Sequence, residues 1–411
     1  MKLLLQDIAV WGAGGTPSRK NKGYFKGNIS WVKTGELGQK YIYDTEEKIT
    51  RNAIENSSAK VFPSGSVAIA MYGATIGKTS ILRINAATNQ ACAVAQPYDF
   101  CNNEFLYYFL VANRGEFVSM GTGGAQPNIS QALIKQYPIN LPPLLEQKRI
   151  VAKIESLFSR LDNTKDSLER VRAEIKHYRQ SVLKSAFTGE LFPEFQYSDK
   201  CLSELISIRN ERKNPQDVPN MQYIGMADVE GFTGIVSKCF FAREMKALSA
   251  YFKAGDILYG RLRPYLNKVV VANSEGVAST EFIIMTSNSG VVTEYVAWRL
   301  RANDFVDFAI SLNSGDRPRV KFDQISLFSI KIPEKKEQIK IVQTIESRFE
   351  QAKMLEDAVE QGLERINQLK QSILKKAFEG KLVESDPNDE PVELLLERIK
   401  KDKIGSCKSG G

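Results

Sequence analysis

Several stretches of this chain carry residues spaced for chemistry, and none completes a catalytic set. Gly73-Ala-Thr-Ile-Gly77-Lys78-Thr79 approaches the phosphate loop G-x4-G-K-[ST], whose backbone N–H groups and lysine cradle an anion. It has one residue too few between its glycines. Behind it, Ser80-Ile-Leu-Arg-Ile84 predicts a strand, not the helix whose N-terminus would hold phosphate. Asn140-Leu-Pro-Pro-Leu144 separates its amide from its prolines and offers no aromatic ring to stack on a base; its prolines end a strand and start a helix. His177, the single histidine, lies on a heptad-patterned stretch beside Tyr178, with Lys176 and Arg179 as neighbours. It reads as a solvated or interface side chain rather than a general base, and no triad using histidine can be built elsewhere. Cys92, Cys101, Cys201, Cys239 and Cys407 make no CxxC pair, which argues against zinc and against a disulfide framework. The chain therefore reads as a binder rather than a catalyst, with no cofactor or metal of its own.

The binding chemistry on offer is basic and amide-rich. The net charge is +8 and the pI about 9.0, a balance that suits a polyanion through release of its counterions. In the first third, Thr16, Ser18, Arg19, Lys20 and Lys22 form a basic-polar run fit for phosphate, followed by Tyr24, Trp31 and Lys33. Tyr72 and Lys78 are polar tips flanking strands, and Asn89, Gln90, Gln126 and Asn128 carry amides able to read adenine with two hydrogen bonds. Beyond residue 200 three more clusters occur: Arg209, Arg212 and Lys213; Arg261, Arg263, Tyr265 and Lys268; Arg317 and Arg319. Arginine pairs with guanine O6 and N7, so these clusters beyond residue 200 point to a guanine-containing target for the second half of the chain.

The elements that must position these residues are written twice. Pro142 to Leu191 reads P-x3-E-Q-x2-I-V-x2-I-E-S-x-F and then Q-S-V-L-K-S-A-F-T-G-E-L, and Pro333 to Leu382 repeats the pattern without a gap. A repeat of this length is a duplicated half-protein, not a solenoid unit. In the first copy Ile150, Ile154, Leu161, Leu168 and Ile175 step along a heptad seam; in the second, Ile341, Ile345, Leu355, Val359, Ile366 and Leu369 do so. Each seam predicts a helix of roughly 40–45 residues, about 60–68 Å long. The two are expected to pair antiparallel, as a rod with a globule at each end. Gly362 either allows close helix approach or weakens its helix, and Phe158, Phe187, Phe349 and Phe378 lie off the seam, free to pack on the globules or on partners.

Ahead of each helix lies a strand-rich globule; Phe252 to Tyr259 stands where Phe62 to Ile69 stands earlier. The expected fold is α+β: two pseudo-symmetric, strand-rich mixed α/β domains joined by two long antiparallel coiled-coil helices. The boundaries read 1–142, 143–191, 192–333 and 334–382, with a charged tail over 383–411 in which Val392 to Lys403 forms a short helix. No leader pattern and no apolar run of membrane length occurs, so a cytoplasmic protein with no membrane partner is expected.

The blocks Glu146 to Glu155, Gln180 to Leu191, Glu337 to Glu346 and Gln371 to Leu382 resemble the conserved regions of Type I restriction–modification specificity (S) subunits. Gly14-Gly15-Thr16-Pro17-Ser18, Ile29-Ser30-Trp31 and Gln126-Pro127-Asn128-Ile129-Ser130 are similar to that family's target-recognition domain; the second globule departs from the pattern, with Arg212-Lys213-Asn214-Pro215 in the nearest place. The resemblance implies that each globule reads one half of a split, asymmetric sequence in double-stranded DNA and that the helices set the spacing. It also implies docking of two methyltransferase (M) subunits and, in the full complex, restriction (R) subunits, with S-adenosylmethionine, ATP and Mg on those partners. The rival reading is a two-headed coiled-coil adaptor that binds proteins without DNA readout.

Overall fold

The computed structural model describes residues 3–384 apart from 123–126, 239, 313, 314 and 316, and beyond them 386–390, 394 and 397. Gln126, Cys239, Cys407 and nearly all of the expected tail helix lie outside the described residues. The chain divides into two compact units: residues 1–166 with 363–411, and residues 167–362. Sequence boundaries set the helices apart as spacers. Each long helix, Leu144–Thr188 and Lys335–Phe378, contributes residues to both compact units.

The two larger sheets of unit 1 are built from the strands β1 Ala9–Ala13, β2 Ile29–Val32, β3 Tyr41–Ile42, β4 Glu47–Ile49, β5 Val61–Phe62, β6 Val67–Ala70, β7 Thr79–Leu82, β8 Ala86–Thr88 and β9 Cys92–Pro97. They form a five-stranded sheet, β1-β9-β6-β7-β3, and a four-stranded sheet, β4-β2-β8-β5. Strand β6 is buried on both faces, which is why it reads as a continuous apolar run. Val67 and Ile69 face a core shared with helix α1 (Asn103–Ala112); Ala68 and Ala70 face the second sheet. Helix α2 (Arg114–Ser119) follows, and then α3, the long helix Leu144–Thr188.

Unit 2 repeats this architecture. Strands β10 Ile206–Ile208, β11 Arg212–Lys213, β12 Gln222–Ile224, β13 Phe240–Phe241, β14 Ser249–Phe252, β15 Ile257–Gly260, β16 Val269–Val271, β17 Gly276–Ala278 and β18 Phe282–Ser287 build sheets ordered β10-β18-β15-β16 and β11-β14-β17-β12-β13. Helices α4 (Thr293–Leu300) and α5 (Asn303–Ser311) precede α6, the second long helix Lys335–Phe378. Among the described residues no helix is long and apolar enough to cross a membrane.

The repeated E-Q pair has a structural cause. Gln147 is fully buried; its Oε1 accepts from Asn102 N (2.8 Å), and its Nε2 donates to Phe100 O (3.0 Å) and Pro142 O (2.8 Å). Gln338 does the same in unit 2, accepting from Val292 N (2.8 Å) and donating to Gly290 O (3.3 Å) and Pro333 O (2.9 Å). One amide thus ties the first turn of a long helix to the loop that starts the globule's own helix. The repeated phenylalanines complete the grip. In unit 1, Phe158 meets Tyr108 edge-on at 5.9 Å and Phe378 meets Phe105 at 5.3 Å. In unit 2, Phe349 meets Trp298 at 4.6 Å and Phe187 meets Tyr295 at 5.2 Å. All four pack on the globules.

The helices pair antiparallel inside each unit, and the seam corrects the expected register. Ile150 and Ile154 share a core with Leu374 and Ala377 in unit 1, and Val182 and Ala186 share one with Ile341 and Ile345 in unit 2. Ile175, Val359 and Ile366 are buried, and Leu161 and Leu168 half-buried. Leu355 and Leu369, however, are 57% and 37% exposed. The neighbouring positions carry the inward charges instead: Glu356 pairs with Arg179 at 2.9 Å, and Lys370 with Asp162 at 2.5 Å. Apolarity alone favours the leucines; the charged pairs lie at the partly exposed flank of the seam, where they fix register rather than add stability. Gly362 serves close approach, since a Cβ there would lie 2.9 Å from Leu168 Cδ1.

Candidate nucleic-acid interface

In each unit one loop is laid beside another by backbone hydrogen bonds. In unit 1 the turn after β6 receives the segment 127–129: Gly73 N donates to Pro127 O (2.8 Å), Ile129 N to Met71 O (2.9 Å), and Tyr72 bridges Asn128. Met71 N donates to Ala91 O (2.8 Å), and the Thr16 hydroxyl bonds to the Gln90 amide. Thr16, Tyr72, Gln90 and Asn128, scattered in the sequence, therefore share one polar edge. The strand β7 that follows Thr79 leaves no helix N-terminus behind the glycine loop.

Gly14 and Gly15 hold this edge in place. A Cβ on Gly14 would fall 2.2 Å from Asn89 O, and one on Gly15 2.4 Å from Ala59 N. Only glycine permits that approach. Trp31 is a correction to the candidate list: it is 2% exposed, and its Nε1 donates to Gly15 O at 3.0 Å, so it supports the loop from the core. Asn89 is also internal in role, its Oδ1 accepting from Cys92 Sγ (3.1 Å).

The cations of unit 1 sort into two groups. Arg19 stacks over Phe25 (4.2 Å) and pairs with Glu47; Lys33 pairs with Glu46 (2.7 Å) and Glu47 (3.1 Å). The Arg19 guanidinium holds the Glu47 carboxyl below its ordinary range, and Glu46 and Glu47 raise the Lys33 ammonium. These two charges are internally compensated. Ser18, Lys20 and Lys22 are exposed, and Tyr24 and Lys78 half-buried; the three lysines have no ion-pair partner among the described residues.

Unit 2 has the same ladder with different side chains. Arg261 N donates to Glu281 O (2.9 Å), Val320 N to Arg261 O (3.0 Å), and Arg263 N to Pro318 O (2.8 Å), while Leu262 bridges Arg319. The clusters around Arg261 and Arg319 are thus one surface, with exposed Arg317 and Tyr265 beside it. Arg319 pairs with Glu281, and Lys268 Nζ donates to Met226 O. Arg209, Arg212 and Arg261 line a common cavity of about 290 Å³ with Lys321 and Phe282. Arg209 itself serves the fold: Asp256, 1% exposed, accepts from its Nε (2.6 Å) and Nη2 (3.1 Å), from Thr286 Oγ1 (2.7 Å) and from Lys253 N (2.8 Å). Lys213 sits over the Tyr251 ring at 3.7 Å.

Sequence reasoning missed Glu281 and Lys321. Glu281 carries no local signal. Lys321 does, because Arg317, Arg319 and Lys321 alternate in the two-residue rhythm of extended backbone.

Residues 2–175 match the family model of the Type I restriction modification DNA specificity domain. The EcoDI specificity subunit of Escherichia coli is 28% identical over 92% of this chain and 96% of its own length. The StySPI specificity subunit of Salmonella potsdam is 24% identical over 89% and 86%. Among solved structures, a chain from a type I R-M system described for its complex assembly and conformational transition superposes with a TM-score of 0.72 at 18% identity, covering 93% of this chain and 98% of that one. The HsdS subunit from Thermoanaerobacter tengcongensis gives 0.58 at 18% identity, covering 93% and 97%; both share the fold. Duplicated halves and paired long helices, a specificity-domain match over residues 2–175 and relatives aligned over nearly the full length make this chain similar to Type I restriction–modification specificity subunits.

Proposed function

We propose that the two units read the two halves of a bipartite, asymmetric target in double-stranded DNA, and that the helix pair sets the spacing between them. The observation that carries this reading is the matched pair of edges. One backbone ladder presents Tyr72, Gln90 and Asn128 in unit 1 and Arg261, Arg263 and Arg319 in unit 2. A shared scaffold with divergent side chains is what reading two different sequences requires, because phosphate contacts position a protein while base edges specify it. Target recognition is this family's part. The chemistry lies with two methyltransferase subunits and with restriction subunits, which carry S-adenosylmethionine, ATP and Mg.

The test is methylome sequencing of a host carrying this chain and its methyltransferase subunit. A split motif with a fixed gap is expected, and a continuous motif or none would defeat the reading. Removing one heptad from both helices should shorten that gap by on the order of three base pairs, since seven residues rise about 10 Å. An unchanged gap would show that the helices do not set it.

A further inference from the structure

Arg263 sits where its backbone resists an arginine. Its φ is 53° and its ψ 67°, in the left-handed region. At the matching place in the unit 1 ladder stands Gly73, with φ 60°. Left-handed backbone crowds a Cβ against the following carbonyl, and a proline next in sequence pushes a residue toward extended backbone. Pro264 is that next residue, so the conformation is disfavoured twice over. Asn267 repeats the substitution, standing where unit 1 has Gly77, but its case differs. Asparagine tolerates the region, and its Nδ2 donates to Arg301 O (3.2 Å). Arg263 has no such internal use. Its Nε is buried without a partner, as is that of Arg261. Neither guanidinium has an ion pair among the described residues, while Glu281 is engaged by Arg319. The root of Arg263 is nevertheless rigid: its N–H donates to Pro318 O (2.8 Å), and its carbonyl accepts from Leu266 N (2.8 Å).

Strain held in place by surrounding hydrogen bonds gathers at functional positions. A pinned backbone on a recognition edge that carries an arginine with no ion pair among the described residues matches the bidentate reading of guanine. We infer that Arg263 is a specificity-determining residue that donates to O6 and N7 of one guanine in the half-site contacted by unit 2. Arg261, beside it on the same ladder, supports the same edge. This rests on the DNA-reading function proposed above.

The variant Arg263→Gly separates the role from the fold, because glycine suits the backbone already present. The complex with methyltransferase subunits would be tested by selection from duplexes randomised in both half-sites, with wild type, Arg263→Gly and Arg263→Lys in parallel. At one G·C pair in one half-site, discrimination should fall about 5- to 150-fold in Arg263→Gly. The other half-site should be unchanged and the melting temperature equal or higher. Arg263→Lys should keep affinity for random duplex yet lose the same preference. An unchanged base preference in Arg263→Gly, or a uniform loss across all sequences, would overturn the inference. A wild-type complex that selects no split motif would instead defeat the wider reading, and this inference with it.

Discussion

Replacing Gln147 by leucine should loosen unit 1 and leave unit 2 intact. The side chain is fully buried and makes three hydrogen bonds. Leucine of similar size leaves the Asn102 N–H without an acceptor, and the Phe100 and Pro142 carbonyls each lose a donor. An orphaned buried N–H costs about 1–3 kcal/mol, and carbonyls rather less because they keep a second lone pair. The sum is about 2–4 kcal/mol, or roughly 30- to 900-fold in the equilibrium for opening. Asn102 also caps α1, its Oδ1 accepting from Phe105 N (2.9 Å), so the loss falls on that helix start. Hydrogen exchange read by mass spectrometry resolves the effect. Peptides over 98–112 should exchange faster by about that factor in Gln147→Leu, while peptides over 288–300 keep wild-type rates. Gln338→Leu should reverse the pattern. Equal acceleration in both regions, or none in either, would refute the idea that each amide locks only its own globule.

Further outcomes follow from other contacts. Arg209→Ala should cost unit 2 about 3–5 kcal/mol in urea denaturation, because it strands the buried Asp256 carboxylate. Burial raises the Asp256 pKa, but Arg209, the Lys253 N–H and Thr286 outweigh it, so the folded value lies below the ordinary one. That stability is complete above the unfolded value of about 3.9 and fades as pH falls through the folded one, so Arg209→Ala should unfold at higher pH in an acid titration. Lys20→Gln and Lys22→Gln should each lower the slope of log affinity against log salt by about one, without changing base preference. Cys92 and Cys101 are buried and their thiols pushed up to about 12. Iodoacetamide at pH 8 should spare both in the native chain and modify them in urea; native labelling of either would contradict the burial.

The long helices were legible because a heptad pattern is local and here occurs twice. Their seam was only half legible. Leu355 and Leu369 outrank Glu356 and Lys370 on hydropathy, and nothing in one helix reveals that Arg179 and Asp162 wait on the other. The candidate interface shows the same limit. Composition found the arginines of unit 2, but the pairing of 261–263 with 318–320 joins distant segments through backbone atoms, which leave no trace in residue type. Trp31 misled because an indole suits a base stack and a core equally, and only its bond to Gly15 decides. Arg209 misled similarly, its carboxylate partner standing 47 residues away.

The division of the chain has a consequence for its synthesis. Unit 2 is an unbroken stretch, 167–362, whereas unit 1 needs residues from 363 onward to cover its core with Leu374, Ala377 and Phe378. The half made first on the ribosome is thus the last to be finished. A premature stop near residue 360 would release a polypeptide whose later half is complete and whose earlier half has an open apolar flank. Nonsense lesions late in the reading frame should therefore injure the amino-terminal head first.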